Sequence, residues 1–182
     1  MSTPRFPNVR RLGSALCALA VSATILAATP AYADPAMPGH VYRITTTGSL
    51  AVEVAGASHD NGAPVIQWPV KVPDYQQNQQ WRLEARGGGT FWLRNMRSGK
   101  CLTVADASHQ PGAGLVQHDC NDGANERWYL NPVNSNTMYK IRSVATAYVM
   151  DVPNGTVKIG TQLIQYPDHD GPNQQFYLTM LA

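Results

Sequence analysis

The chain has little from which to build catalytic or metal chemistry. It holds three cysteines in 182 residues, and one of them, Cys17, sits in an apolar N-terminal run, which leaves Cys101 and Cys120. Neither that pair nor His59, His109, His118 and His169 gives the ligand spacing of a zinc site. No metal is therefore expected, and each of these histidines reads as a surface-loop residue. Charge is also sparse, at 14% of residues. Residues 34–182 carry eleven basic and twelve acidic side chains, a formal charge of −1. That balance is no footprint for a polyanion, so a nucleic-acid partner is not expected. No Gly-x-Ser-x-Gly, His-Glu-x-x-His or phosphate-loop motif is present, which argues against the commonest hydrolase and nucleotide chemistries. After the N-terminal run no apolar stretch is long enough to span a bilayer, and no segment keeps a 3.6-residue apolar stripe, so membrane and helical-bundle architectures drop out.

What the chain does have begins at its N-terminus. Arg5, Arg10 and Arg11 precede an apolar run from Leu12 to about Ala28, and Thr29-Pro30 leads into Ala31-Tyr32-Ala33. A positive segment, an apolar segment and a small-x-small cleavage pattern predict a signal peptide over 1–33 and a secreted, extracellular mature chain over 34–182. In an exported protein a remaining even pair of cysteines predicts a Cys101–Cys120 disulfide.

The mature part repeats itself three times. Val52-Glu53-Val54, Leu102-Thr103-Val104 and Met150-Asp151-Val152 are each followed, 15 residues after their central residue, by Trp68, His118 and Tyr166. Seven residues further stand Asn125 and Asn173; in the first copy the gap to Asn78 is ten, an insertion around Val70–Pro73. The copies start 50 and 48 residues apart, and each ends on Asn78-Gln79-Gln80-Trp81, Asn125-Glu126-Arg127-Trp128 or Asn173-Gln174-Gln175-Phe176. Period-two runs such as Tyr42-Arg43-Ile44, Phe91-Trp92-Leu93 and Tyr139-Lys140-Ile141 lie between Gly-, Pro- and Asn-rich turns, so each copy reads as short strands. One such unit cannot bury its own apolar face, whereas three around a common axis can share a core. The alternation assigns Trp81, Trp128 and Phe176 to that core.

These elements resemble the ricin B-chain-type lectin domain, the QxW family also found as carbohydrate-binding modules of bacterial xylanases. The element is intact as Gln79-Gln80-Trp81 and degenerate at Glu126-Arg127-Trp128 and Gln174-Gln175-Phe176. The resemblance covers about Val41 to Leu178 and implies an all-β fold, a β-trefoil with three pseudo-symmetric repeats at approximately 41–84, 90–131 and 137–180. It further implies a non-catalytic carbohydrate-binding protein without a cofactor, with a galactoside- or xylan-type glycan as partner.

A shallow sugar site needs a hydroxyl acceptor, an amide to donate and an aromatic platform for the apolar face of the ring. Carried over from the family, these are Asp151, Tyr166 and Asn173 with Gln174 in support in the third repeat, and Glu53, Trp68, Asn78 and Gln79 in the first. The second repeat offers Thr103, His118, Asn125 and Glu126. It lacks the acid and is expected to be silent. The first and third sites each receive only one repeat-pattern carboxylate, whereas glycoside hydrolysis uses two. Gln67, Gln117 and Gln165 lie one residue before the aromatic, where many sugar-binding members place the glutamine two before it, so they should point to the opposite face. None of Asp151, Tyr166, Thr103 and Glu53 belongs to the expected core, so their replacement should leave stability near that of the parent. The competing reading is a trefoil inhibitor or protein-interaction module acting through the 70–78 loop.

Overall fold

The computed structural model describes residues 36–72 and 77–181, together with Met1. The expected signal segment 1–33 and the centre of the 70–78 loop, residues 73–76, lie outside the described residues.

The first repeat contributes β1 (Val41–Thr46), β2 (Leu50–Val54), β3 (Val65–Pro69) and β4 (Gln80–Ala85). The second contributes β5 (Thr90–Asn95), β6 (Cys101–Val104), β7 (Leu115–His118) and β8 (Trp128–Val133). The third contributes β9 (Met138–Ser143), β10 (Val149–Asp151), β11 (Ile164–Tyr166) and β12 (Phe176–Met180). Outer strands close a ring: β1 pairs with β4 and β12, β5 with β4 and β8, and β9 with β8 and β12, all antiparallel. The inner strands form three hairpins, β2–β3, β6–β7 and β10–β11, each joined to the ring through its first strand. This is the expected β-trefoil, and closing the ring leaves no barrel strand with an unpaired edge.

The period-two pattern of the sequence sorts directly into burial. Tyr42, Ile44 and Thr46 of β1 face inward while Val41, Arg43 and Thr45 do not. Trp81, Trp128 and Phe176 are fully buried. They pack with Val52, Leu102 and Met150 from the hairpins and with Ile44, Leu93 and Ile141 from the ring. The two indoles also serve as donors, Trp81 Nε1 to the Val52 carbonyl and Trp128 Nε1 to the Leu102 carbonyl, both at 2.9 Å. Burying an indole requires such a partner; Phe176 keeps the packing and has no donor to satisfy.

Gln67, Gln117 and Gln165 do lie opposite the aromatic residues, and their position has a use. Each is buried, and each carboxamide crosses into another repeat. Gln67 Nε2 donates to the Thr156 and Lys158 carbonyls, at 2.7 and 2.9 Å. Gln117 Nε2 donates to Ser58 and Asp60, at 3.0 and 2.9 Å. Gln165 Nε2 donates to Ser108 and Gln110, at 2.8 and 3.1 Å. First repeat is thereby tied to third, second to first, and third to second. The expected Cys101–Cys120 disulfide is present and closes a separation of 19 residues, for which chain entropy gives roughly 3 kcal/mol.

Candidate functional site

The same local construction recurs in each repeat. The inner hairpin carries the acid-position residue on its first strand and the aromatic or His on its second. A single 3-10 turn follows the first strand, and a second one precedes the last strand of the repeat. A hollow opens between these pieces.

The third hollow, about 440 Å³, is lined by Asp151, Asn154, Ile164, Tyr166, His169 and Asn173, among others. Asp151 is 2% exposed, and its carboxylate is held from behind. Asn173 Nδ2 donates to Oδ1 at 3.0 Å and Gln174 Nε2 to Oδ2 at 2.8 Å. Gln174 is itself fixed, donating to the Pro167 carbonyl at 2.9 Å and accepting from His169 N–H at 2.9 Å. Both N–H groups of Asn173 are used, the second on the Val152 carbonyl at 3.1 Å. To a ligand this side chain therefore presents its oxygen, an acceptor, where the resemblance implied an amide donor. Tyr166 is 43% exposed and forms one wall. His169 meets it edge-on at 6.3 Å between ring centres and brings Nε2 to 3.4 Å from Asp151 Oδ2.

The second hollow is as large, about 440 Å³, and holds Thr103, His118 and Asn125 as the sequence placed them. It differs in chemistry rather than in space. The Thr103 hydroxyl turns back to donate to the Cys101 carbonyl at 3.0 Å. Buried Glu126 takes the place of the glutamine and accepts the backbone N–H groups of Asn121 and Asp122. An acidic residue outside the repeat pattern, Asp106, is among those that line this hollow.

In the first hollow, about 540 Å³, Glu53 and Trp68 line the space but Asn78 does not. Asn78 is fully buried and donates to the Val54 carbonyl at 3.0 Å, and Gln79, also buried, donates to Glu53 Oε2 at 2.8 Å and to the Pro69 carbonyl at 2.9 Å. The wall is completed by two cations that sequence reasoning did not select, Lys71 and Arg97.

Two further positions recur in register. The residue three after the aromatic or His is Lys71, Asn121 or His169. Its backbone N–H donates to the side-chain oxygen of Gln79, Glu126 or Gln174, at 3.0, 2.5 and 2.9 Å. Its side chain then lines the hollow. The residue two after Val54, Val104 or Val152 is Gly56, Asp106 or Asn154, with φ of 60, 53 and 56°. A left-handed φ favours Gly, Asn and Asp, which accounts for the residue types, and all three residues line their hollows.

The segment bearing His169 is clamped from the barrel. Lys140, whose side chain is 8% exposed, pairs with Asp168 at 2.6 Å and with Asp170, while Arg142 reaches Asp168 Oδ2 at 2.6 Å. Burial alone would raise the Asp168 carboxyl, but hydrogen bonds from Lys140, the Asp170 backbone and Arg142 hold it below the ordinary range. Burial alone would lower Lys140, but Asp168 and Asp170 hold it above. The depressed carboxyl contributes stability that is present above its unfolded pKa, roughly 3.9, and is lost as pH falls through its folded value. The raised ammonium contributes stability that is lost only as pH rises above roughly 10.4. Lys140→Met should therefore cost about 2 kcal/mol in urea unfolding, uniformly from about pH 5 to pH 9, with the difference from the parent shrinking below about pH 4. A loss independent of acid pH would show that packing, not the ion pairs, is what Lys140 supplies.

Comparison with known proteins agrees with this architecture. The family described as ricin-type beta-trefoil lectin domain-like matches residues 77–166 and 133–182. Agglutinin-1 of Abrus precatorius is 29% identical over 102 residues, 56% of this chain and 17% of the agglutinin, so the match spans a small part of that relative. Among solved structures, the designed threefold-symmetric protein ThreeFoil is 34% identical with a TM-score of 0.73, covering 78% of this chain and 99% of its own. An exo-β-1,3-galactanase from Clostridium thermocellum is 30% identical with a TM-score of 0.72, over 78% of this chain and 30% of the enzyme. The family match runs over more than half of the sequence, and the chain belongs to the ricin-type β-trefoil lectin domain family.

Proposed function

We propose that the protein is an exported, non-catalytic lectin that binds a glycan or polysaccharide through its shallow hollows, with the third as the principal site for a neutral sugar. The observation that carries this reading is the meeting of Asp151, Tyr166 and Asn173 around one open hollow. Asp151 and Asn173 offer oxygens to sugar hydroxyls, and Tyr166 offers an apolar face to the ring. The basic, apolar and small-x-small segments of residues 1–33 support export, and the disulfide is at home in an oxidising compartment. The similarity to an exo-β-1,3-galactanase supports a galactose-containing glycan.

An open polar hollow gives a weak single contact, near the millimolar range or about −4 kcal/mol. Several hollows on one rigid barrel raise avidity toward a polymer. Titration with galactose, xylose and their oligosaccharides should give millimolar affinity, and galactan or xylan should be retained far more tightly. Thr103→Ala should change neither. Equal affinity for monomer and polymer would overturn the multivalent reading, and absence of binding across a glycan array would overturn the lectin reading.

A further inference from the structure

We propose that the first hollow selects a sugar unit carrying an anionic group, a uronate carboxylate or a sulfate ester, and so differs in ligand class from the third. This rests on reading the hollows as sugar sites. The contrast lies in which charges a ligand would meet. In the third hollow the lining acidic residue is Asp151 and in the second it is Asp106, and neither lining contains Lys or Arg. In the first, Glu53 is joined by Lys71 and Arg97.

The charge of Glu53 is already matched before a ligand arrives. Its side chain is 3% exposed, and Oε2 accepts from Gln79 Nε2 at 2.8 Å and pairs with Lys71 Nζ at 2.9 Å. The Glu53 charge is matched by Lys71, whereas no Lys or Arg lines the third hollow around Asp151, so an anion approaching the first hollow meets less uncompensated negative charge.

Arg97 is the opposite case. Its backbone N–H donates to buried Asn95 Oδ1 at 3.1 Å, and its Nε donates to the Ala57 carbonyl at 3.1 Å. The guanidinium is thus anchored at the rim by one edge. Its terminal nitrogens have no partner among the described residues. A guanidinium presents those nitrogens as a planar fork suited to carboxylate and sulfate oxygens. Trp68, 38% exposed, supplies the ring platform beside it.

This cation comes from the turn after β5, in the second repeat. The corresponding turns after β1 and β9 contain no Lys or Arg. The charge is therefore particular to this hollow and is not a feature of the repeat.

The test titrates the full protein with three probes, trigalacturonate, galactose 6-sulfate and neutral galactotriose, and follows the indole N–H resonances of Trp68 and the ring resonances of Tyr166. Trp68→Phe assigns the first of these signals. Trigalacturonate, galactose 6-sulfate or both should shift Trp68 at least about tenfold more tightly than galactotriose does. That advantage should fall as salt rises from about 20 mM to about 500 mM. Arg97 is exposed, so Arg97→Gln should fold normally; it should remove the advantage and leave galactotriose binding at Tyr166 unchanged. Arg97→Lys should retain part of it. Which anion responds identifies the source of the charge. Equal response of Trp68 to charged and neutral probes, no response to either anion, or an advantage that survives Arg97→Gln would overturn the assignment. Loss of the Tyr166 response alone would instead count against the third hollow as the neutral-sugar site.

Discussion

Asp151→Ala should lower affinity for a neutral glycan at the third hollow at least about tenfold and, in the same protein, cost about 2 kcal/mol of stability. The binding loss follows from removing a charged acceptor, worth roughly 1.5–3 kcal/mol. The stability loss follows from what stands behind it. Asp151 is 2% exposed and accepts from Asn173 and from fully buried Gln174. Alanine leaves Gln174 Nε2 with the Pro167 carbonyl alone and Asn173 with the Val152 carbonyl alone, and a buried donor stripped of a partner carries a desolvation cost. The expectation that this substitution, and Glu53→Ala with it, would leave stability untouched is therefore corrected: both acids are buried and hydrogen-bonded, and Glu53 is also ion-paired to Lys71. Tyr166→Ala separates the two effects. Tyr166 is 43% exposed, so it should lose binding to a similar degree while the unfolding midpoint stays within about 0.5 kcal/mol of the parent. Isothermal titration and urea unfolding on the same preparations check both. Parent-like binding by Asp151→Ala would remove the third hollow as the site, and parent-like stability would contradict the hydrogen bonding of its carboxylate.

What the sequence made legible, and what it hid, divides along a physical line. Positions held by packing announce themselves three times with the same residue type. Val52, Leu102 and Met150, the QxW aromatics, and the alternating strands around them therefore place the barrel and the hairpins. The acid-position residue and the aromatic or His of each hollow sit on those same strands and come with the register. The rim positions are different, because the backbone repeats while the side chain varies. Lys71, Asn121 and His169 share one backbone hydrogen bond and no chemistry. A search for similar residues passes over them, although counting three from Trp68, His118 and Tyr166 would have found them. Asn78 looked like a counterpart of Asn173, but the insertion before it accompanies a fully buried position. Arg97 could not be read from its own repeat at all, because it lines a hollow that belongs to another.

The cross-repeat glutamines should be the most sensitive polar positions in the inner hairpins. Gln117→Ala is expected to cost about 3 to 4 kcal/mol. Gln117 is fully buried; its Nε2 holds two carbonyls of the first repeat, and its Oε1 accepts from Ser98 Oγ at 2.6 Å. Truncation therefore loses three hydrogen bonds and leaves a void between repeats. Gln117→Glu keeps the volume and isolates the polar part. At neutral pH it turns a carboxylate toward the Ser58 and Asp60 carbonyls, so it should destabilise at least as much as alanine. The introduced carboxyl would be favoured in its protonated form in the folded state, where it can donate one bond. Its pKa in the fold would thus lie above the unfolded value of roughly 4.3, and the stability it retains would be present in acid and lost as pH rises through that range. Urea unfolding at about pH 4 and about pH 7 should show the Glu variant closer to the parent at the lower pH, with the Ala variant shifted little between them. Because Gln117 also ties the β6–β7 hairpin to the turn at Ser58, hydrogen exchange should quicken in both segments together. Exchange confined to the second repeat would mean that the three repeats share a core without being locked by these side chains.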